Sequence, residues 1–276
     1  MQLLKRIPAV ISASGLVLAA SFSLALAQAQ PANKQPSVGQ AGKDVIWLPT
    51  NQALVDKMLD LANVTASDFV IDLGSGDGRT VITAAKRGAR AMGIEYDPKL
   101  VKLATDNAAK SGVSDKATFV KADIFQSDFS KATVITLFLM PQLNIRLRPT
   151  LLNMKPGTRV VSNTFDMGDW EPDERVTLPD CQSHCNALFW IVPAKVQGTW
   201  QMANGELTLQ QQYQVLTGTL KVGSASGAIR ESKMTGDQIA FSVGGTQYMG
   251  RVNDNTIEGI AKSPSRETKW QATRTN

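Results

Sequence analysis

The sequence predicts a doubly wound parallel α/β sheet followed by a small antiparallel β-barrel or sandwich. Three observations lead there. Short apolar runs alternate with segments of helical period between residues 44 and 194. A glycine-rich bend joins the first of those runs to the helix after it. Beyond about Pro193 the pattern changes to period two, broken by glycine and Asn-Asp turns. A chain of 276 residues has room for one α/β domain and a smaller second one. Its 43% hydrophobic and 19% charged content is that of a globular protein rather than a disordered one.

At the start of the chain, Lys5 and Arg6 precede an apolar stretch over residues 7–26. Ala25-Leu26-Ala27 offers the small-x-small pattern that a signal peptidase accepts, and Ala27-Gln28-Ala29 repeats it two residues on. Residues 1–29 are therefore expected to be a signal peptide. The remainder would be exported to the periplasm or the extracellular space, with no stable membrane span after cleavage. The alternative is an uncleaved anchor, since about 20 weakly apolar residues just span a bilayer. In both cases the inner positive charges place the rest outside the cytoplasm. Residues 30–43 lack an apolar period and read as a linker.

Order is expected from Asp44, in Val45-Ile46-Trp47-Leu48-Pro49, after which Thr50 or Asn51 can cap a helix carrying Leu54, Val55, Met58 and Leu59. Phe69-Val70-Ile71-Asp72-Leu73 is a nearly continuous apolar strand, as the buried centre of a parallel sheet requires. A helix through residues 80–86, a strand over 91–95, a helix over 98–110 and strands near 118–120 and 134–139 follow. A helix over 143–154 and a fifth strand over 159–162 complete the repeat of βα units across residues 44–194. Residues 195–276 read as a β-meander of seven or eight strands.

The formal net charge is +5, but residues 44–194 carry 16 basic and 18 acidic side chains. No basic helix with interleaved aromatics appears, so a nucleic-acid partner is not expected. Cys181 and Cys185 are the two cysteines, and the single histidine, His184, lies between them. No second cluster supplies a fourth metal ligand, so no metal is expected. A local disulfide and two free thiols both remain open.

Chemistry concentrates in Asp72-Leu73-Gly74-Ser75-Gly76-Asp77-Gly78-Arg79, between the first strand and the next helix. A dinucleotide site needs G-x-G-x-x-G and a helix terminus aimed at a pyrophosphate. Here the third glycine comes one residue early, and Asp77 would repel a diphosphate. That argues against a nicotinamide oxidoreductase. A ligand with an amino acid end and no phosphate suits the bend better. Glu95 ends the second strand 23 residues beyond Asp72, and Asp123 follows the third.

This arrangement resembles motif I of the class I S-adenosylmethionine-dependent methyltransferases, whose fold is a Rossmann-like doubly wound sheet. The resemblance implies S-adenosyl-L-methionine as cofactor, bound by Asp72, Gly74, Ser75, Gly76, Asp77 and Gly78, with Asp72 and Asp77 near its amino acid end. It implies Glu95 on the ribose hydroxyls, Asp123 at the adenine amino group, and Thr50, in Pro49-Thr50-Asn51, on the segment closing over the methionine moiety. A narrower likeness covers residues 44–172. Residues 72–86 (DLGSGDGRTVITAAK), Met140-Pro141-Gln142-Leu143 and residues 155–162 (KPGTRVVS) resemble a small group of protein-lysine methyltransferases that includes the mitochondrial enzyme acting on the ATP synthase c-subunit. That implies a protein lysine as acceptor.

Many amino-methylating relatives carry Asn/Asp-Pro-Pro-Tyr/Phe after the fourth strand. Leu137-Phe138-Leu139-Met140-Pro141 keeps one proline and no polar side chain there. The carbonyls of Leu139 and Met140 could orient an amine and Phe138 could wall it, while no general base is identified. Asp166 and Asp169 could attract a cationic acceptor. A sensor or adaptor that binds the cofactor without catalysis is the alternative function. The tail's Gly-x-Trp opening, at Gly198-Thr199-Trp200, resembles small lipocalin-like modules.

Overall fold

The computed structural model describes residues 36–42 and 44–275. The expected signal segment, and the linker up to residue 35, lie outside the described residues. The expected helix at the start of the ordered region is α1 (Gln52–Leu61), and Asn51 rather than Thr50 caps it, its side chain accepting from the Ala53 N–H at 2.8 Å. The parallel core then runs β1 (Phe69–Leu73), α2 (Arg79–Lys86), β2 (Arg90–Glu95), α3 (Pro98–Lys110) and β3 (Ala117–Lys121). It continues through β4 (Val134–Leu137), α4 (Pro141–Leu151) and β5 (Arg159–Asn163). α3 begins where Asp97 accepts from the Lys99 N–H at 2.8 Å and Pro98 supplies a preset φ at the first helical position.

These strands, with β6 (Glu174–Thr177) and β7 (Asn186–Ile191), form one seven-stranded sheet in the order β3-β2-β1-β4-β5-β7-β6. β1 to β5 are parallel, and β7 returns antiparallel beside β5. The order reverses at β1, which pairs with β2 on one side and β4 on the other. In such a sheet ligands collect at that switch point, beyond the carboxyl ends of the strands.

Alternation along the buried strands feeds two cores. Val70, Val134 and Val161 pack with Leu54, Met58 and Leu59 of α1, Val81 and Ala85 of α2, and Ala108 of α3. Ile71, Leu73, Ile135, Leu137 and Val160 pack on the other face with Leu147 and Leu151 of α4 and with Trp170 and Trp190. Helices on both faces make the sheet doubly wound, as expected.

The first sheet ends at Ile191 and the second begins at Gly198. The second has nine antiparallel strands: β8 (Gly198–Met202), β9 (Gly205–Gln212), β10 (Val215–Val222), β11 (Ala225–Ala228), β12 (Arg230–Thr235), β13 (Gln238–Val243), β14 (Thr246–Asn253), β15 (Thr256–Lys262) and β16 (Glu267–Arg274). Its outermost strands, β11 and β12, are joined through Ile229, so the sheet nearly closes into a barrel. Trp200, Leu207, Leu209, Phe241 and Trp270 form its core.

The structure departs from the sequence reading in three places. The strand count is nine rather than seven or eight, because β11 and β12 are polar enough to pass for turns. β6 and β7 are strands the sequence reading did not resolve. Residues 36–42 of the expected linker are also ordered. Gln40 and Trp47 pair through the Trp47 N–H to the Gln40 carbonyl at 3.0 Å, Ala41 bridges Ile46, and the Gln40 amide reaches Asp97 at 3.2 Å.

The second sheet docks on the segment after β5. The Tyr213 ring stacks on Trp170 at 6.0 Å, and its hydroxyl donates to Asp169 at 3.0 Å. Gln214 donates to the Glu171 carbonyl at 2.7 Å, and Lys233 pairs with Asp173 at 3.1 Å. No helix among the described residues is long and apolar enough to cross a membrane.

The Tyr213→Ala variant removes the ring that covers Trp170 and the donor to Asp169. Unfolding in urea is expected to show about 2–4 kcal/mol lower stability.

Candidate active site

β1 carries Asp72 to the sheet edge. There it is buried, opposite Gly93 on β2 and Thr136 on β4. The Thr136 hydroxyl donates to it at 2.6 Å. Burial pushes the Asp72 carboxyl up to about 7, and the negative charges of Glu95 and Asp77 push the same way, while the Thr136 bond opposes them. The carboxylate is thus short of a positive partner.

The chain then bends through Gly74 and Gly76, at φ +85° and +54°. The Gly76 position has to be bare: a Cβ there would lie 2.5 Å from the Trp47 indole nitrogen. Trp47 pairs with Gly39 and Gln40, and its ring therefore lies against the bend. Glu95 buttresses the bend from β2. One carboxylate oxygen accepts the Gly76 N–H at 2.9 Å and the other accepts the Asp97 N–H at 2.9 Å. Each oxygen retains a lone pair for a further donor.

Asp77 is turned to a different task. Its carboxylate holds the Arg79 guanidinium at 2.6 Å, and Arg79 donates in turn to the Thr50 carbonyl at 2.7 Å. The three residues tie the 47–51 segment to the bend. Asn163 donates to the Thr50 hydroxyl at 3.2 Å, which fixes the same segment to β5. Asp123 closes its own turn, accepting from the Phe125 N–H at 2.9 Å.

These groups line one cavity. It includes Thr50, Asp72, Gly74, Ser75, Gly76, Asp77, Glu95 and Asp123. Gly78 stands outside it. A Cβ there would meet Phe119 at 2.6 Å and Ala104 at 2.8 Å, so this glycine permits the close approach of α2 to α3 and β3. Gln40, Trp47, Tyr96, Phe165 and His184 also line the cavity, and the sequence reading did not place them there. Trp47 and Tyr96 had a usable signal, as large side chains adjoining the predicted closing segment and Glu95. His184 had none, because only the fold brings it near Phe138.

At the far end, beyond β4 and β5, Phe138 and Phe165 line the cavity with Leu139 and Met140. The Met140 carbonyl accepts from the Leu143 and Asn144 N–H groups at 2.9 and 3.2 Å, so it opens α4. Of the two carbonyls expected to orient an amine, that of Leu139 is the one outside the helix. Asp169 also departs from expectation. Its carboxylate is engaged by Arg148 and Tyr213, whose bonds hold it below the usual carboxylate range, the tyrosine contributing most. Asp166 caps its own turn at Gly168. Cys181 and Cys185 form a disulfide, which settles the open question of their pairing.

Among the described lining residues the carboxylates Asp44, Asp72, Asp77, Glu95, Asp97 and Asp123 outnumber the cations, and the one guanidinium, Arg79, is bonded to Asp77 and Thr50. A phosphate would find no counter-charge here. S-adenosylmethionine fits on three counts: a buried carboxylate lacking a cation, a second carboxylate with open lone pairs one strand away, and the buried Ser75 hydroxyl, which has no partner.

Comparison with known proteins agrees. Residues 72–174 match the ANTKMT methyltransferase domain. The protein-lysine N-methyltransferase of Saccharolobus islandicus is 39% identical over 151 residues, covering 54% of this chain and 94% of that protein. The ATP synthase c-subunit lysine N-methyltransferase of Xenopus laevis is 32% identical over 128 residues, covering 46% of this chain and 56% of that enzyme. An RNA methyltransferase from Salinibacter ruber, solved with S-adenosyl-L-homocysteine, is 48% identical and superposes with a TM-score of 0.51, covering 54% of this chain and 96% of that one.

The fold and the site thus define an S-adenosylmethionine-dependent methyltransferase, an enzyme rather than a protein that only holds the cofactor. Within that class the chain belongs to the family of the protein-lysine N-methyltransferases, the ANTKMT methyltransferase domain group.

Two outcomes follow from the geometry. Gly78→Ala places a Cβ at φ +82° against Phe119, and is expected to lower stability by about 2–5 kcal/mol in denaturant unfolding. Asp72 ionises near 4 in the unfolded chain and about 7 when folded. Its contribution to the ligand-free protein is therefore complete below pH 4 and lost as pH rises to about 7. Melting temperatures from pH 4 to 8 should fall more steeply for the wild type than for Asp72→Asn.

Proposed function

We propose that this enzyme transfers a methyl group to the ε-amine of a lysine in a protein outside the cytoplasm. The observation that carries this reading is the make-up of the acceptor end: an apolar wall of Phe138, Leu139 and Met140 in a cavity whose charged lining is mainly acidic. An alkylammonium suits both features, its charge drawn by the carboxylates and its stem by the wall. Two of the relatives above are named for lysine on a protein, and the chain spans about half the length of the ATP synthase c-subunit enzyme. The Salinibacter ruber relative is named for RNA. A nucleic acid brings its phosphates, and the acidic lining and the excess of acidic side chains over residues 44–194 disfavour it.

On this reading Asp72 holds the amino group of the methionine moiety, Glu95 the ribose hydroxyls, and Asp123, in the turn after β3, the adenine amino group. When bound, the cofactor supplies an activated methyl carbon with a thioether leaving group. The protein's part is alignment and exclusion of water. The Asp77–Arg79–Thr50 tie and the Trp47 turn hold the covering segment over the bend. The amine attacks in its neutral form, so the ammonium that the site attracts releases its proton to solvent before transfer. On this reading the Leu139 carbonyl, which lies outside α4, accepts a hydrogen bond from that amine.

Export follows from the sequence pattern of residues 1–29, and the Cys181–Cys185 disulfide supports it, since such bonds persist in oxidising compartments. On this reading the cofactor reaches the site before or despite export.

The test is to incubate the purified full chain with methyl-tritiated S-adenosylmethionine and a cell-envelope protein extract, then hydrolyse to amino acids. Labelled methyl-lysine is expected. Label confined to ribonuclease-sensitive material, or to no lysine derivative, overturns the lysine reading.

A further inference from the structure

We propose that Phe138, Phe165 and His184 form an aromatic lip that seats the acceptor's alkylammonium group, and that the Cys181–Cys185 disulfide keeps His184 in it. The proposal rests on the amine-acceptor reading above and adds the groups that recognise the amine.

Three separate loops bring the rings together. Phe138 follows β4, Phe165 follows β5, and His184 lies in the turn between β6 and β7. His184 meets Phe138 edge-on at 5.2 Å and Phe165 at 5.8 Å, with interplanar angles of 64° and 63°. The two phenylalanines lie 6.2 Å apart, 18° from parallel. All three line the cavity. At these separations the rings touch, so a cation meets their outward faces rather than a gap between them. The negative face of an aromatic ring attracts an alkylammonium, and methylation of the nitrogen preserves that attraction.

The lip lies at the donor end by topology. Glu95 on β2 and Asp123 after β3 take the nucleoside side of the switch point, and Asp72 on β1 takes the amino acid. A cofactor held in that way would leave the loops after β4 and β5, which carry Phe138 and Phe165, to receive the acceptor.

The turn that supplies His184 is held by its ends. The disulfide links Cys181 to Cys185 at a Cα separation of 5.7 Å, and the Leu178 N–H bonds the Cys185 carbonyl at 2.8 Å. His184 has φ +54°, a left-handed conformation that disfavours a non-glycine residue, so the turn needs the constraint of its closed ends to keep it there. Without the disulfide, His184 is free to relax away from the phenylalanines. It also lies beyond residues 72–174, so the lip adds to the matched domain a group from outside it.

His184 is the only histidine in the chain, so its ring protons are a unique NMR reporter. The full-length protein is saturated with S-adenosylhomocysteine and titrated with n-butylammonium, n-butyltrimethylammonium and, as the uncharged control, n-butanol. Saturable shifts of the His184 signals are expected with both cations and not with the alcohol. Reducing the disulfide, or Cys181→Ser with Cys185→Ser, should move those signals to solvent-exposed values and weaken the cations at least tenfold, with S-adenosylhomocysteine affinity within twofold. Titrated with the same cations by calorimetry, since these variants lack the reporter, His184→Ala should lose the same tenfold relative to the wild type, and His184→Phe should recover it.

His184 signals indifferent to both cations, or unmoved by reduction, overturn the lip. So does a His184→Phe variant as weak as His184→Ala, which would assign the imidazole a chemical rather than an aromatic role. Cation binding without methyl-lysine in the labelling experiment overturns the lysine-protein reading and leaves the lip standing. Methyl-lysine without cation shifts does the reverse.

Discussion

The rest of the site follows from the burial of one carboxylate. Asp72 sits at the end of the central strand with the Thr136 hydroxyl as its hydrogen-bonding neighbour, in a setting that favours the neutral acid. A folded chain tolerates such a group where something else repays its desolvation. Among the described residues no cation is bonded to it: the nearby guanidinium of Arg79 is directed at Asp77 and Thr50. A ligand with an amino group is the complement, and it acts more strongly here than at the surface because water is kept out. The glycine bend lets a ligand approach the backbone, and Trp47 and the Thr50 segment cover it.

Three acidic residues that look alike in the sequence do different work once folded. Asp72 is withheld from water, Asp77 is neutralised by Arg79, and Glu95 is braced by two backbone N–H groups while keeping acceptor capacity. The difference lies in the backbone. Asp72, next to last on β1, is buried opposite Gly93 of β2 and Thr136 of β4. Asp77, past two left-handed glycines, faces the start of α2, where Arg79 lies two residues on. Spacing alone marks all three as candidates, and only the direction of each side chain separates a ligand-facing group from a structural tie.

Where local rules govern, the sequence was readable. Phe69-Val70-Ile71-Asp72-Leu73 could only be a buried strand. The Asp97-Pro98 cap marked α3 to the residue at its start, and the bend announced itself by its glycines. What escaped was set by distant partners. β6, with the sequence Glu-Arg-Val-Thr and three exposed residues, is a strand only because β7 pairs with it. The 36–42 segment has a linker's composition, yet Gln40 finds Trp47 and Asp97. Asp169 looked like bait for a cation. Its partners Arg148 and Tyr213 lie 21 residues before it and 44 after it.

The segment after β5 joins the two halves of the molecule. Phe165 begins it, facing the cavity and His184, and Trp170, five residues on, is covered by Tyr213 of the second sheet. Between them, Arg148 of α4 donates to the Met167 carbonyl and pairs with Asp169, so the intervening backbone is held from the side. Among the described residues that line the cavity, none belongs to the second sheet. Its docking contacts at Asp169, Trp170, Glu171 and Asp173 instead fix the far end of the loop that carries Phe165. A loop pinned at both ends has fewer conformations to lose when an acceptor arrives, and an acceptor bound to an ordered ring keeps more of its interaction energy as affinity. The barrel-like sheet can thus influence the acceptor end through the stiffness of that loop, while the cofactor end, built on β1 and β2, is held by the first sheet.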